Sequence, residues 1–341
     1  MTRYADDHRP LDRTPAGMTY GVLAPHFGEH ATPKRIIDGA VLAEQAGFEA
    51  IWVRDHLIWQ PHGMEGTDQT FVEAFACLAA IAARTTKIHL GTAVLIPIRW
   101  PLKLAQDFAS LSFLAGGRVI AGLGLGSGQN ELGAAGFRRK DRKPIFVETT
   151  KILPLVWEHD SVSFDGTMFS FEDVTIEPKP VEKIPMWYGG TTEISVRNAV
   201  DHCHGWMPGR IPLATLDARL ELLDDLSAQA GRRVTRSAIP LVKVDRDRNV
   251  ARSGIDVGAL AGSSEASSTW VMPKGGFNTV DDLRGIVCAG EPKEIVEQVA
   301  ELGERGLDHV VFDLRLQYDD YERTLDLIGE EVLPQLRSIR A

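Results

Sequence analysis

Short apolar runs alternate with amphipathic helical segments along most of this chain. The clearest case is the helical segment Pro33–Ala46 followed by the apolar run Ala50–Val53. A run this short and unbroken is typical of a strand that is covered on both faces. The apolar residues stop at Arg54, Asp55 and His56, which therefore stand at the carboxyl end of a buried strand. In parallel α/β folds that end of the strands is where ligands bind.

The same alternation predicts about eight strand–helix units, as in a (β/α)8 or TIM barrel. One segment differs, because Ser161–Ile176 has alternating polarity around Asp165-Gly166 and indicates a β-hairpin. The predicted barrel strands are Thr19–Ala24, Ala50–Val53, Ile88–Val94, Arg118–Leu123, Met186–Tyr188, Gly205–Met207, Ile239–Val244 and His309–Leu314.

Residues 18–341 are predicted to form one domain. Two stretches of the chain depart from the alternation of strands and helices. Residues 1–17 are polar and contain proline, which indicates a flexible N-terminal tail. Residues 245–290 follow strand seven as an insertion whose many glycines and serines disfavour a packed core of its own. Trp270 gives the insertion an apolar patch, so it is predicted to be a lid over the ligand. A surface excursion or a dimer contact is the alternative.

Composition limits the classes of partner. The net charge is −10 with no basic cluster, which argues against binding nucleic acid or an anionic membrane. No apolar run reaches membrane-spanning length. Cys77, Cys203 and Cys288 are far apart, which indicates reduced thiols in a cytoplasmic protein. Neither the cysteines nor the histidines have metal-ligand spacing, so no metal site is predicted.

Two glycine-rich turns follow predicted strands. Gly122–Gly128 and Gly189–Thr192 each precede a helix start, where backbone N–H groups attract anions. Two such turns at one rim favour a ligand that carries phosphate. The alternative for the first is a tight barrel turn without a ligand, and Thr191 or Thr192 could merely cap the next helix.

His56 is the candidate for proton transfer or for contact with a cofactor, because its imidazole can donate or accept a proton near neutral pH. Asp55 could orient it, or could cap the next turn. A lone histidine is also commonly a structural residue, so the strand-end position alone leaves both roles open.

Short motifs in the same order resemble those of the bacterial luciferase-like flavin monooxygenase superfamily. The resemblance covers nearly the whole chain from Thr19. The matching motifs are Asp55-His56, Gly91-Thr92-Ala93-Val94 with Pro97 and Pro101, Gly117-Arg118 before the glycine-rich turn, Asn130-Glu131, Pro185 before Gly189-Gly190, Glu291-Pro292 and Gly306-Leu307-Asp308.

The resemblance implies a (β/α)8 barrel with an insertion after strand seven, a homodimer, and a flavin or coenzyme F420 at the C-terminal rim. Asp55-His56 with nearby Trp59 is most similar to the F420-dependent dehydrogenases and reductases, in which the matching histidine lies by the reactive face of the deazaflavin. The superfamily also implies a cis peptide bond at Ala93-Val94 that backs the central ring of the cofactor. Ser127 departs from the sugar-phosphate dehydrogenases of that branch, which have a catalytic glutamate there.

The sequence is therefore predicted to encode an oxidoreductase that transfers a hydride between F420 and a small organic substrate. The alternatives are an FMN-dependent monooxygenase that uses oxygen, and a non-catalytic barrel that binds a flavin. His56 is the predicted catalytic residue, and Trp59 and Trp270 are the predicted substrate walls. The predicted cofactor-binding residues are Asp55, Ala93, Val94, Ser127, Asn130, Gly189, Gly190 and Thr191.

Overall fold

Eight parallel strands close into a barrel, which confirms the predicted (β/α)8 class. The computed structural model describes residues 10–12, 17–59, 66–126, 128–262 and 269–339. Each barrel strand pairs with the next along the chain, and the last pairs with the first. The barrel strands are β1 (Thr19–Leu23), β2 (Ala50–Val53), β3 (His89–Thr92), β4 (Val119–Leu123), β7 (Met186–Gly189), β8 (Gly205–Met207), β9 (Thr235–Ala238) and β12 (His309–Phe312).

Helices separate most of the barrel strands along the chain and cover the barrel. The first begins at Pro33, where the side chain of Thr32 accepts a hydrogen bond from the backbone N–H of Arg35, and ends at Gly47 in the left-handed conformation. The helices are α1 (Pro33–Ala46), α2 (Ala74–Ala82), α3 (Pro101–Ala115), α4 (Gln129–Ala134), α5 (Arg142–Glu158), α6 (Glu193–His202), α7 (Leu213–Ala230), α8 (Arg248–Arg252), α9 (Val257–Gly262), α10 (Pro292–Glu304), α11 (Tyr321–Leu327) and α12 (Leu333–Ser338).

Large aromatic side chains fill the interior of the barrel. Trp52 and Trp187 have ring centroids 5.3 Å apart, and both are almost fully buried. Trp52 donates a hydrogen bond from its indole nitrogen to Nε2 of His309 at 3.1 Å, and Thr19 lies 2.9 Å from the other ring nitrogen. Burial lowers the pKa of His309 to about 3, so this histidine is neutral and structural.

The prediction for strand seven is wrong in its position. The seventh barrel strand is β9, a polar Thr-Arg-Ser-Ala sequence, and the apolar residues that follow form β10 (Leu241–Val244). β10 pairs instead with β11 (Val287–Gly290), in a separate two-stranded sheet. Pro240, which has no N–H to donate, lies between the two strands, and its carbonyl accepts a hydrogen bond from the backbone of Asp313.

Residues 245–290 lie between β10 and the end of β11, as an insertion before the last barrel strand. The expectation that they lack a packed core is wrong. Leu260, Leu283 and Ile286 belong to a buried cluster that is distinct from the barrel core, and Trp270 packs against both clusters. These apolar residues are few, and the many glycines and serines around them give no sign of a core in the sequence.

Two further elements border the barrel. The predicted hairpin is present as β5 (Val162–Asp165) and β6 (Ser170–Val174). Part of the predicted N-terminal tail, residues 10–12, contacts the barrel: Leu11 is buried and accepts a hydrogen bond from Thr19, and Asp12 pairs with Arg233. No helix among the described residues is long and apolar enough to cross a membrane.

Candidate active site at the carboxyl ends of the strands

Asp55, directly after β2, is held in a two-point ion pair. Its carboxylate oxygens accept hydrogen bonds from both terminal nitrogens of Arg99, each at 2.7 Å. Arg99 stands in the loop after β3 and also reaches Glu73 at 3.3 Å. Asp55 is 3% exposed, so its carboxylate is buried and is bonded to Arg99 through both oxygens. The pair fixes the loops after two adjacent strands against each other.

His56 is hydrogen-bonded to a buried carboxylate from another strand–helix unit. Its Nδ1 lies 3.2 Å from Oε2 of Glu131, in the first turn of α4, and Oε1 accepts the backbone N–H of Leu57 at 2.6 Å. The side chains of His56 and Glu131 are 16% and 2% exposed. Burial by itself raises the pKa of Glu131, but His56 and the N–H groups of Leu57 and Ile58 outweigh it and hold that pKa below its ordinary value.

The other ring nitrogen of His56 faces Arg54. Nη2 of Arg54 lies 3.3 Å from Nε2 of His56. A guanidinium only donates, so Nε2 accepts in this arrangement and Nδ1 carries the proton that faces Glu131. The edge of the imidazole also meets the ring of Phe71, with centroids 5.4 Å apart. These contacts give His56 one orientation and one tautomer.

His26, at the end of the neighbouring strand β1, has a different role. Its Nδ1 lies 3.0 Å from the carbonyl oxygen of Val72, and its Nε2 accepts the backbone N–H of Arg54 at 2.8 Å. Burial lowers the pKa of His26 to about 3 although the bond to Val72 raises it. His26 is therefore a neutral residue that joins two strand ends, which no feature of the sequence had indicated.

The chain leaves β3 through a cis peptide bond at Ala93-Val94, which confirms that prediction. The turns after β4 and β7 both approach the side chain of Val94 closely. A β-carbon on Gly189 would stand 2.4 Å from Val94 Cγ1, and one on Gly124 would stand 2.7 Å from Val94 Cγ2. Only glycine therefore fits at these two positions, and the three strand ends meet around the bulge.

The turn after β7 leads directly into α6. Thr192 caps this helix, because its hydroxyl oxygen accepts the backbone N–H of Ser195. The carbonyl of Gly190 accepts the indole N–H of Trp206 at 3.0 Å, and the carbonyl of Thr191 accepts a bond from Arg219 at 3.2 Å. The capping role thus falls to Thr192 and not to Thr191.

The remaining predicted site residues have no part in the contacts described above. Trp59 is half-buried in the loop after β2. Asn130 is exposed on the first turn of α4, and Ser127 lies outside the described residues. Trp270 packs on Phe277 in the insertion, with ring centroids 6.1 Å apart.

Several residues of this site had not been singled out. Glu131 had appeared only within a motif, and Arg54, Arg99 and Arg219 had no assigned role. For Glu131 a signal did exist, because a carboxylate in the first turn after a glycine-rich turn is placed to face the rim. Among the residues that the structure describes, no group of three or more His, Cys, Asp or Glu side chains could hold a metal ion.

A cavity of about 240 Å³ lies elsewhere, beside the amino-terminal ends of β7 and β8. Its walls include Pro154 and Trp157 of α5 and the side chains of Met186, His202 and His204. This is the face opposite the rim that carries His56, so the cavity is separate from the candidate active site.

Comparison with known proteins identifies the family. The profile of the luciferase-like monooxygenases matches residues 14–309. The chain belongs to this family. An F420-dependent glucose-6-phosphate dehydrogenase of Nakamurella multipartita is 31% identical over 96% of this chain and 98% of its own length.

Solved structures agree on the fold. An F420-dependent secondary alcohol dehydrogenase, in complex with an F420–acetone adduct, has a TM-score of 0.77 at 21% identity, over 94% of this chain and 99% of that one. The oxygenating constituent of 3,6-diketocamphane monooxygenase from Pseudomonas putida, in complex with FMN, has a TM-score of 0.74 at 17% identity, over 94% and 99%. F420 and FMN enzymes thus share the barrel that this family member has.

Proposed function

We propose that this protein is an F420-dependent oxidoreductase acting on a small organic substrate. The observation that carries the proposal is the pair of His56 and Glu131 at the barrel rim, where a proton acceptor is held beside the strand ends. Two sequence relatives that cover nearly the whole chain are F420-dependent glucose-6-phosphate dehydrogenases, which supports F420 over FMN.

The residues at the rim fit a cofactor with a flat ring and a phosphate-bearing tail. Ala93 and Val94 are half-buried, so the bulge presents apolar surface at the mouth, and Gly124 and Gly189 leave it room. The turn 189–191 opens into α6, whose first N–H groups favour an anion. Ala93 and Val94 would back the ring, and Gly189, Gly190 and Thr191 would hold the tail.

When bound, the deazaflavin of F420 exchanges a hydride with the substrate. The chain supplies the accompanying proton transfer. His56 holds a proton on Nδ1 against Glu131 and presents Nε2 as the acceptor, so a substrate hydroxyl that displaces Arg54 from Nε2 would deliver its proton there. The negative charge of Glu131 then stabilises the imidazolium that forms. In the reverse direction the imidazolium returns the proton to a carbonyl oxygen.

We propose that the insertion closes the site above the substrate, with Trp270 as one wall. Support comes from the packing of Trp270 between the barrel core and the cluster of the insertion. Trp270→Ala is expected to raise the substrate KM several-fold and to change the F420 dissociation constant less, because the cofactor tail lies at other residues. Equal losses in both quantities would contradict a role as a substrate wall.

We also propose a homodimer that works in the cytoplasm. Phe113 and Leu114, at the end of α3, and nearby Val181 are large apolar side chains that remain exposed, which supports burial against a second copy. The three cysteines are buried and unpaired, which supports a reducing compartment. Sedimentation of the wild type against Leu114→Glu tests the dimer, and an unchanged mass would contradict it.

The decisive experiment is a titration of the purified protein with F420 and with FMN, followed by tryptophan quenching. Tighter binding of F420 is expected, and tighter binding of FMN would favour the oxygen-dependent monooxygenase instead. Candidate alcohols are then added to the protein with oxidised F420. If the F420 absorbance falls only when a substrate is added, the protein is an enzyme and not a barrel that only binds the cofactor.

A further inference from the structure

Helix α7 carries a buried arginine between two parts of the rim. Arg219 is 6% exposed. Its Nε donates to the carbonyl of Thr191 at 3.2 Å, and its Nη2 donates to the carbonyl of Thr269 at 3.0 Å. Thr191 belongs to the turn after β7, whereas Thr269 belongs to the insertion and directly precedes Trp270. One planar group is thus bonded to both segments.

One helical turn earlier, the same face of α7 also contacts the insertion, through the side chain of Thr215. The hydroxyl oxygen of Thr215 accepts the backbone N–H of Val271 at 2.9 Å, and Thr215 is fully buried. Residues four apart lie on one face of a helix, so Thr215 and Arg219 together hold residues 269–271. Of the two side chains, Arg219 is the one that also reaches the turn after β7.

The charge of Arg219 is balanced from the solvent side. Its Nη1 lies 3.4 Å from Glu193, in the first turn of α6, and the Glu193 side chain is 64% exposed. An ion pair with so exposed a partner contributes little, because water screens it. The carbonyl bonds, which lie inward, therefore account for the position of the guanidinium.

We propose that Arg219 is a positioning residue that couples the turn after β7 to the insertion, so that a ligand at the turn sets the position of the Trp270 wall. The flat guanidinium donates in fixed, divergent directions, which a lysine ammonium cannot reproduce. Such coupling is reciprocal: the occupied turn orders residues 269–271, and the ordered insertion tightens binding at the turn. The identity of the ligand as F420, its place at the turn and the role of Trp270 as a wall rest on the proposed function, whereas the bonds of Arg219 to the two segments do not.

Hydrogen exchange of ligand-free protein tests the bridge with three matched variants. Arg219→Met is expected to raise amide exchange about tenfold both at residues 190–194 and at residues 269–271, because both segments lose a buried donor. Thr215→Val is expected to raise exchange at 269–271 alone. Glu193→Gln removes the exposed charge and is expected to change neither segment.

Binding and kinetics give the second measurement. In the wild type, F420 is expected to slow exchange at 269–271. Arg219→Met is expected to raise the F420 dissociation constant and the substrate KM about tenfold each while kcat stays within about twofold, because His56 and Glu131 are untouched. Arg219→Lys is expected to restore protection in at most one segment, and it replaces Arg219→Met if that variant does not fold.

The proposal is overturned if Arg219→Met and Thr215→Val give the same exchange pattern confined to the insertion. It is also overturned if bound F420 leaves exchange at 269–271 unchanged in the wild type. If F420 does not bind at all, the proposed function fails, and the ligand-free comparison of the variants still decides whether Arg219 couples the two segments.

Discussion

Two histidines at adjacent strand ends have opposite surroundings. His26 and His56 both meet the ring of Phe71, with centroids 4.9 Å and 5.4 Å away. His26 is fully buried between a backbone carbonyl and a backbone N–H. His56 is partly exposed and faces the carboxylate of Glu131. The same side chain, one strand apart, is thus bonded once to neutral backbone groups and once to the charged side chains of Glu131 and Arg54.

The difference shows what separates a structural from a chemical histidine at this rim. Backbone partners bond only the neutral imidazole of His26 well, and burial lowers its pKa to about 3, so it does not exchange protons near neutral pH. A carboxylate partner stabilises either form of His56, which is what a residue that transfers protons requires. Position at a strand end alone does not make this distinction.

The largest expected effect comes from removing the imidazole at the proposed active site. His56→Ala is expected to lower turnover by about 10²–10⁴-fold, as for loss of a general acid or base. Its unfolding midpoint is expected to stay close to that of the wild type, because the side chain is partly exposed. Steady-state kinetics and urea unfolding check this, and near-normal turnover would make His56 as structural as His26.

The reciprocal change at the neighbouring strand is expected to act on stability. His26→Ala leaves the carbonyl of Val72 and the N–H of Arg54 buried without their partner, at a cost of about 2–4 kcal/mol in the free energy of unfolding. Turnover per folded molecule is expected to fall far less than in His56→Ala. A stable but inactive His26→Ala would contradict the division of roles.

Acid is expected to act through the buried histidines. Their pKa is lowered from 6.5 to about 3 in His26 and His309, so the unfolded chain binds more protons than the native one between these values. Stability is therefore full above pH 6.5 and falls as the pH drops, by about 2 kcal/mol for each histidine between pH 7 and pH 5. Urea unfolding at pH 7 and at pH 5 checks this. In His26→Gln, the unfolding free energy should fall less between the two pH values, because one of the two histidines no longer contributes. An unchanged pH dependence in that variant would mean that His26 is not neutral in the native state.

The smallest expected effect concerns the partner of His56. Glu131→Gln keeps an oxygen that can accept the N–H of Leu57 but removes the charge, and turnover is expected to fall about tenfold. Glu131→Ala serves as the comparison, because it removes both the charge and the acceptor. If Glu131→Gln is as active as the wild type, the carboxylate orients His56 without stabilising its charge.

Much of the fold could be predicted because periodicity and caps are local. Helix α1 has the predicted bounds, since proline marks its start and glycine its end. Strand seven was misplaced because β9 is polar: the hydroxyl of Ser237 bonds inside the barrel to the carbonyl of Trp206, so this strand needs few apolar residues. The apolar run beyond Pro240 forms a strand of a different sheet, which it shares with β11.

The candidate site was predictable at single positions and much less so in its pairings. His56 and the bulge at Ala93-Val94 could be found from position and from family resemblance. The contact of His56 with Glu131 spans 75 residues of chain, and that of Arg219 with Thr269 spans 50. Such contacts depend on how loops cross the rim, which no local pattern encodes.

The seam that closes the barrel has a consequence for synthesis of the protein. β1 pairs on one side with β12, and Thr19 and His309 are 290 residues apart. At about 5–20 residues per second, the first strand waits about 15–60 s on the ribosome for that partner. During this time its edge offers unpaired N–H and C=O groups to any other nascent strand. Rapid synthesis of the chain up to β12, or a chaperone that covers this edge, should therefore raise the yield of native protein.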